Sequence, residues 1–237
     1  MKLLNSLLQI IFPNTCVTCN SISPEGEYFC DFCYEMLPQT GRDNLCRKCG
    51  LDEKSCNCKY NVYYFDGCVA PFYTTDTAKE AMYKYKFNKN ERIAGFFAEK
   101  MVTAVKQSFN GINFDLVTYV PMTEREKIKR GYNQSEILAR KISKIMDKPF
   151  AKGLIKCNEK KEKQHNLNYK ERLKNVAGVY FCKENLSGKC ILLVDDIKTT
   201  GATLSECSKQ LLKCGASSVY CVTGLVSKSK KGKKDGN

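Results

Sequence analysis

The stretch ILLVDDIKTTGAT, Ile191 to Thr203, decides how the rest of the chain is read. Four apolar residues run into two adjacent carboxylates, and a turn of hydroxyl residues and glycine follows. The pattern predicts a buried strand ending near Asp195 and a helix beginning near Thr203. Between them Lys198, Thr199, Thr200, Gly201 and Ala202 form a turn whose backbone N–H groups point inward at the positive end of the helix dipole. Such a turn suits a phosphate monoester. Gly201 lets the backbone come close to the phosphate, and the threonine hydroxyls, Thr203 included, add donors without bulk. Asp195 and Asp196 serve a different part of the same ligand. The hydroxyls of a sugar attached to that phosphate are donors, and a carboxylate accepts from them directly or through Mg2+. Acids buried against nothing are costly, so two of them at a strand end argue for a ligand or metal over an ordinary tight turn.

Outward from this stretch, short apolar runs alternate with amphipathic ones. DGCVAPFY reads as a strand, and TAKEAMYKYKF and ERIAGFFAEKMVTAVKQSF as helices, the second with Ile93, Phe96, Phe97, Met101 and Val105 at helical spacing. LVTYVP is a buried strand ended by proline, and QSEILARKISKIM is a helix capped by Asn133. NEKKEKQHN is charged and without a periodic pattern. KCILLVDD is the most apolar strand, TLSECSKQLLKC a helix stopped by Gly215, and SVYCVTGLV a last strand. This order implies an α/β fold, a mostly parallel sheet with helices on both faces, with ligands bound beyond the carboxyl ends of the strands.

Eight of the 15 cysteines crowd into the first quarter of the 237 residues. Cys16-x2-Cys19, ten residues, then Cys30-x2-Cys33 is the spacing of two knuckles closing on one tetrahedral zinc. Cys46-x2-Cys49 followed by Cys56-x-Cys58 is a second, less regular set, with Cys68 as a substitute ligand if Cys58 falls out of reach. Few large apolar residues accompany them, so metal binding is expected to fold residues 1–60. Leu3, Leu4, Leu7, Leu8 and Ile11 fall on one face of a short amphipathic helix, too short to span a bilayer. Clustered thiols without a leader peptide imply a reducing, cytoplasmic location.

Formal net charge is +14, yet residues 1–60 hold 6 Lys and Arg against 7 Asp and Glu, leaving 33 against 18 for the remainder. The basic part has solubility as its plain reading and a polyanionic partner as its sharper one. Three segments are therefore expected: the cysteine module at 1–60, a catalytic or binding domain at 61–227, and a lysine-rich tail at 228–237.

The signature ILLVDDIKTTGAT resembles the 5-phosphoribosyl 1-pyrophosphate (PRPP) motif of the type I phosphoribosyltransferases, and with three further blocks the chain resembles the ComF/GntX family. YVPMTEREKIKRGYNQSEILAR is similar to the family's proline-ended strand, arginine-rich loop, RG, aromatic and NQ. QHNLNYKERLKNVAGVY is similar to its block of Gln164, Arg172 and Asn175, and the eight cysteines to its double zinc ribbon. The resemblance implies that Asp195 and Asp196 hold ribose, that Thr199 to Thr203 hold the 5-phosphate, and that Arg125 and Arg130 face pyrophosphate. Arg125 also has a plain reading as part of a solvated, alternating-charge loop. Tyr132 would stack on a base or fill its loop, and Lys163 and Arg172 would flank a segment that closes over the site. The lone His165, in a polar stretch, reads as a solvated side chain.

Two zinc ions, and Mg2+ with PRPP, are the implied cofactors. Implied too are natural competence and DNA uptake, single-stranded DNA as a ligand of the basic residues 124–174, and a competence helicase as partner. The alternative is a phosphoribosyltransferase that transfers phosphoribose from PRPP to a nucleobase or amine. Displacement of pyrophosphate needs positioning and cations but no nucleophilic side chain, in keeping with the lack of a catalytic triad.

Overall fold

The computed structural model describes residues 13–24, 26–41, 45–56, 58–88, 91–158 and 174–228. The amphipathic stretch from Leu3 to Ile11, the segment carrying Lys163, Gln164, His165, Tyr169 and Arg172, and most of the lysine-rich tail lie outside them.

Strand alternation builds the sheet. In β6, Cys190–Lys198, Leu192 and Val194 are buried on one side and Ile191 and Leu193 on the other. Burial on both faces explains why this run is continuously apolar, as a central parallel strand requires. β1 (Gly67–Val69) and β2 (Phe72–Tyr73) both pair with β7 (Ser218–Val226), β7 pairs with β6, and β6 with β3 (Leu116–Tyr119), every pairing parallel. The expected single strand DGCVAPFY is thus two, because Pro71 has no N–H to give a ladder.

Helix α1 (Asp31–Glu35) belongs to the cysteine module, and helices α2 (Asp76–Asn88), α3 (Glu91–Ser108) and α5 (Gln134–Met146) cover the first face of the sheet. They bury Met82, Phe97, Met101 and Leu138 against Leu192, Val194 and Val222. Helix α6 (Ala202–Lys213) covers the second, with Leu204, Cys207 and Leu211 against Ile191, Leu193 and Val219. A small antiparallel pair, β4 (Lys156–Cys157) with β5 (Tyr180–Phe181), closes that side. This is the mostly parallel α/β sheet that the pattern predicts. No helix among the described residues is long and apolar enough to cross a membrane.

At the carboxyl end of the sheet the alternation slips by one residue in two neighbouring strands. Ile197 returns to the layer of Leu192 and Val194, and Leu225 to that of Val222, so the period is broken at Asp195–Asp196 and at the facing Thr223–Gly224. A Cβ on Gly224 would stand 2.8 Å from Met82 Cε and 3.2 Å from the Asp196 carbonyl oxygen, so glycine keeps the slip free of crowding. β6 also runs on to Lys198, three residues beyond the predicted end.

The cysteine module is seated on the sheet domain. Phe96 of α3 has Phe29 at 4.7 Å and Tyr28 at 5.5 Å on one side, and Phe72 at 5.7 Å and Phe97 at 5.5 Å on the other. Val17, Phe29 and Leu37 thereby join the first core, while Cys49 and Leu51 join the second. Val17, Phe29, Leu37 and Leu51 are each worth roughly 1.5–3 kcal/mol when fully buried, whereas Ile22 and Phe32 of the same module stay exposed.

Candidate functional site

The carboxyl ends of β3 and β6 open beside the amino ends of α5 and α6, where a parallel sheet presents its ligands. Asp195 Oδ1 accepts from the Ser135 hydroxyl at 2.8 Å and from the Asp196 N–H at 2.9 Å. Ser135 is brought there by the start of α5, where Asn133 caps the helix by accepting from Ser135 N–H and donates to the Val120 carbonyl at 3.1 Å. Asp196 pairs with the Lys86 ammonium of α2 at 2.6 Å. Burial pushes the Asp195 carboxyl up to about 7, and the adjacent Asp196 charge adds to it, whereas the Ser135 hydroxyl, the Asp196 N–H and Lys86 pull it down. The site is therefore an acid pair with one counter-ion, able to accept hydroxyl donors or a cation.

The turn after β6 ends in Gly201 at φ +83°, a left-handed conformation that a side chain resists. Gly201 is the N-cap of α6, which starts at Ala202, one residue before the predicted start. Gly201 offers no capping side chain, the Thr200 hydroxyl accepts from Ala202 N–H at 3.4 Å, and the first turn carries no acidic residue. The next N–H groups of this twelve-residue helix open toward a loop that includes Thr199 and Thr200, beside the acid pair.

Lys198 does not reach that cradle. The slip turns it under the loop, where it is 2% exposed with its ammonium 5.6 Å from the centre of the Tyr63 ring. Its charge acts on the thiols of Cys49 and Cys68. Arg125 and Arg130 belong to a helix, α4 (Glu124–Arg130), and not to a loop. A reciprocal capping box between Thr123 and Glu126 starts it, and Gly131 at φ +79° ends it. Arg125 is exposed and Arg130 donates to Gln134 Oε1 at 3.2 Å. Tyr132 fills its loop: its hydroxyl donates to the Tyr85 carbonyl and its ring packs on the first core.

The eight cysteines form two quartets, Cys16, Cys19, Cys30, Cys33 and Cys46, Cys49, Cys56, Cys58, the sulfurs of each lying within 4.8 Å of one another. A tetrahedron with Zn–S of about 2.3 Å has edges of about 3.8 Å. The Cys19–Cys30, Cys46–Cys58 and Cys49–Cys56 sulfurs stand 3.7 Å apart, so both quartets fit zinc. The shortened Cys56-x-Cys58 pair reaches the second quartet without Cys68. The two knuckles repeat each other: Asn20 N–H donates to the Cys16 carbonyl and Gly50 N–H to that of Cys46, with φ of +63° and +72°. Ser21 hydrogen bonds hold the Cys19 thiol down to about 6, favouring the thiolate a metal takes.

A double zinc ribbon domain model matches residues 7–61. Competence protein F of Haemophilus influenzae is 30% identical over 148 residues, 60% of this chain and 64% of that protein. Competence protein ComFC of Bacillus subtilis is 32% identical over 150 residues, 62% of this chain and 59% of that one. Along those spans the chain is similar to both competence proteins. The matches span less than two thirds of either relative's length. The solved purine phosphoribosyltransferase of Pyrococcus horikoshii overlaps 55% of this chain and 82% of its own at 17% identity, with a TM-score of 0.35. An overlap that loose adds nothing to the sheet order, which stands on its own.

Three residues of this site carry no sequence signal as site residues. Lys86 lies in a helix with several lysines, Ser135 reads as ordinary helix, and Tyr63 reads as the start of the next domain. Only the fold brings them to Asp196, Asp195 and the 199–203 turn.

Proposed function

We propose that this chain is a ComF-family protein that handles incoming DNA during competence through a sheet domain that binds phosphorylated ribose of the PRPP type and single-stranded DNA. The observation that carries the reading is the amino end of α6 at left-handed Gly201, lined by the Thr200 hydroxyl and set beside the Asp195–Asp196 pair. Phosphate would lie on the N–H groups and hydroxyls of Thr199 to Thr203, and ribose hydroxyls on the two carboxylates. Mg2+ takes oxygen ligands from one or two carboxylates plus substrate phosphates, and the acid pair offers that donor set. Asp195 and Asp196 would hold it, and it would supply charge against pyrophosphate.

The exposed cations Arg125, Lys127 and Lys129 of α4 flank the same opening and suit either pyrophosphate or a DNA backbone. This favours turnover as the second reading, phosphoribosyl transfer from PRPP to a nucleobase or amine. Calorimetric titration of PRPP with and without Mg2+ tests the main reading. Binding by the wild type and its loss in Asp195→Asn/Asp196→Asn support it, and no binding by the wild type overturns it. Single-stranded DNA binding should survive that double substitution and fall steeply with salt, and salt-independent binding would count against the DNA role. Pyrophosphate release in the presence of candidate acceptors would establish turnover.

A further inference from the structure

The second cysteine quartet is linked to the phosphate turn by the segment that follows it. Three residues after Cys58, Asn61 Nδ2 donates to the Tyr63 hydroxyl at 3.3 Å, and that hydroxyl donates to the Thr200 carbonyl at 3.2 Å. Tyr64 N–H donates to the Ser205 hydroxyl, in the first turn of α6, at 3.1 Å. The Tyr63 ring is buried under Gly201: a Cβ there would meet Tyr63 Cε1 at 3.0 Å and Lys198 Cε at 3.1 Å. Tyr63 stacks on Phe65 at 4.9 Å, and the Lys48 ammonium, inside the Cys46–Cys49 knuckle, lies 5.9 Å from the Phe65 ring. A continuous set of contacts therefore runs from knuckle to turn, with the Lys198 ammonium enclosed between Tyr63 and the quartet.

We propose that Tyr63 is a positioning residue for the Thr199–Thr203 turn, and that zinc in the second quartet, through residues 59–65, sets the shape of that turn. The first quartet packs on the opposite core and, among the described residues, has no such path. The effect on ligands rests on the phosphoribosyl reading; the effect on the turn does not. Linkage is reciprocal: if zinc shapes the turn, a phosphorylated ribose bound there holds the second zinc more tightly.

The test uses the full chain loaded with zinc, the Tyr63→Phe variant, and Cys56→Ser/Cys58→Ser. In 1H–15N spectra, both variants should shift the Gly201 and Ala202 amides, with zinc content kept at two in Tyr63→Phe and reduced to one in the cysteine variant. Removing one hydrogen bond should weaken ribose 5-phosphate binding about fivefold. Ribose 5-phosphate should slow release of one of the two zinc ions to a chromophoric chelator in the wild type and not in Tyr63→Phe. A turn whose amides ignore loss of the second zinc overturns the proposal, as does ligand binding by the wild type with both zinc ions released at an unchanged rate. Should the wild type bind neither ribose 5-phosphate nor PRPP, the functional reading falls and the amide shifts alone decide the link.

Discussion

Replacing Asp195 by asparagine should stabilise the fold, and more so as pH rises. The carboxyl sits near 7 in the folded chain, because of burial first and the Asp196 charge second, against about 3.9 when unfolded. Between those values the folded chain keeps a proton that the unfolded chain has lost, so stability is fully present below pH 4 and is lost as pH rises through 7. A rise of about 3 units at 1.36 kcal/mol each amounts to roughly 4 kcal/mol by pH 9, and to roughly 3 kcal/mol at pH 6. Asparagine keeps an Oδ1 to accept from Ser135 and from the Asp196 N–H, so the substitution removes charge and little else. Urea unfolding followed by far-UV circular dichroism, on zinc-loaded proteins at pH 6, 7.5 and 9, measures the difference. A variant less stable than wild type at pH 9, or a difference that stays flat across the range, would refute the argument that burial strains this acid.

Two further outcomes follow from the same geometry. Lys86→Met removes the ammonium that pulls Asp195 down, so the pH at which PRPP binding is half-maximal should rise by about one unit, measured by calorimetry from pH 6.5 to 9. An unchanged midpoint would show that Lys86 does not act on the pair. Elemental analysis should find two zinc ions per chain, and their removal by a strong chelator should raise hydrogen exchange around Phe96 of α3 as well as in the cysteine module, because Phe29 and Leu37 share that core. Exchange confined to residues before 60 would contradict the shared packing.

The parallel α/β class and most helices can be read from the chain because each element obeys a local period. QSEILARKISKIM is helix over Gln134–Met146 and SVYCVTGLV is strand over Ser218–Val226, as the patterns predict. The quartets are legible because thiol spacing is local too. What stays hidden depends on contacts far apart in sequence. The slip at Asp195–Asp196 is stabilised by Gly224 on another strand, and a period of two cannot reveal it; the misplacement of Lys198 on the phosphate follows from that alone. Lys86, 110 positions before its partner Asp196, and Tyr63, 137 before Thr200, meet them only through the fold. Arg125 reads as a loop residue because α4 is seven residues long and buries nothing, so no apolar stripe announces it.

The place of β7 has a consequence for biosynthesis. It is translated after every strand it joins, yet it lies between β1 and β2 on one side and β6 on the other. At 5–20 residues per second, about 8 to 30 s separate the emergence of Gly67 from that of Val226, and for that interval the apolar flanks of β1 and β2 lack their neighbour, whereas β6 waits for about 1 to 6 s. The two cysteine quartets have no such wait, since their ligands are all made before residue 60. Metal capture can therefore be complete on a nascent chain whose sheet is still open, leaving the newborn protein with an anchored amino end and a hydrophobic seam that chaperones would meet first.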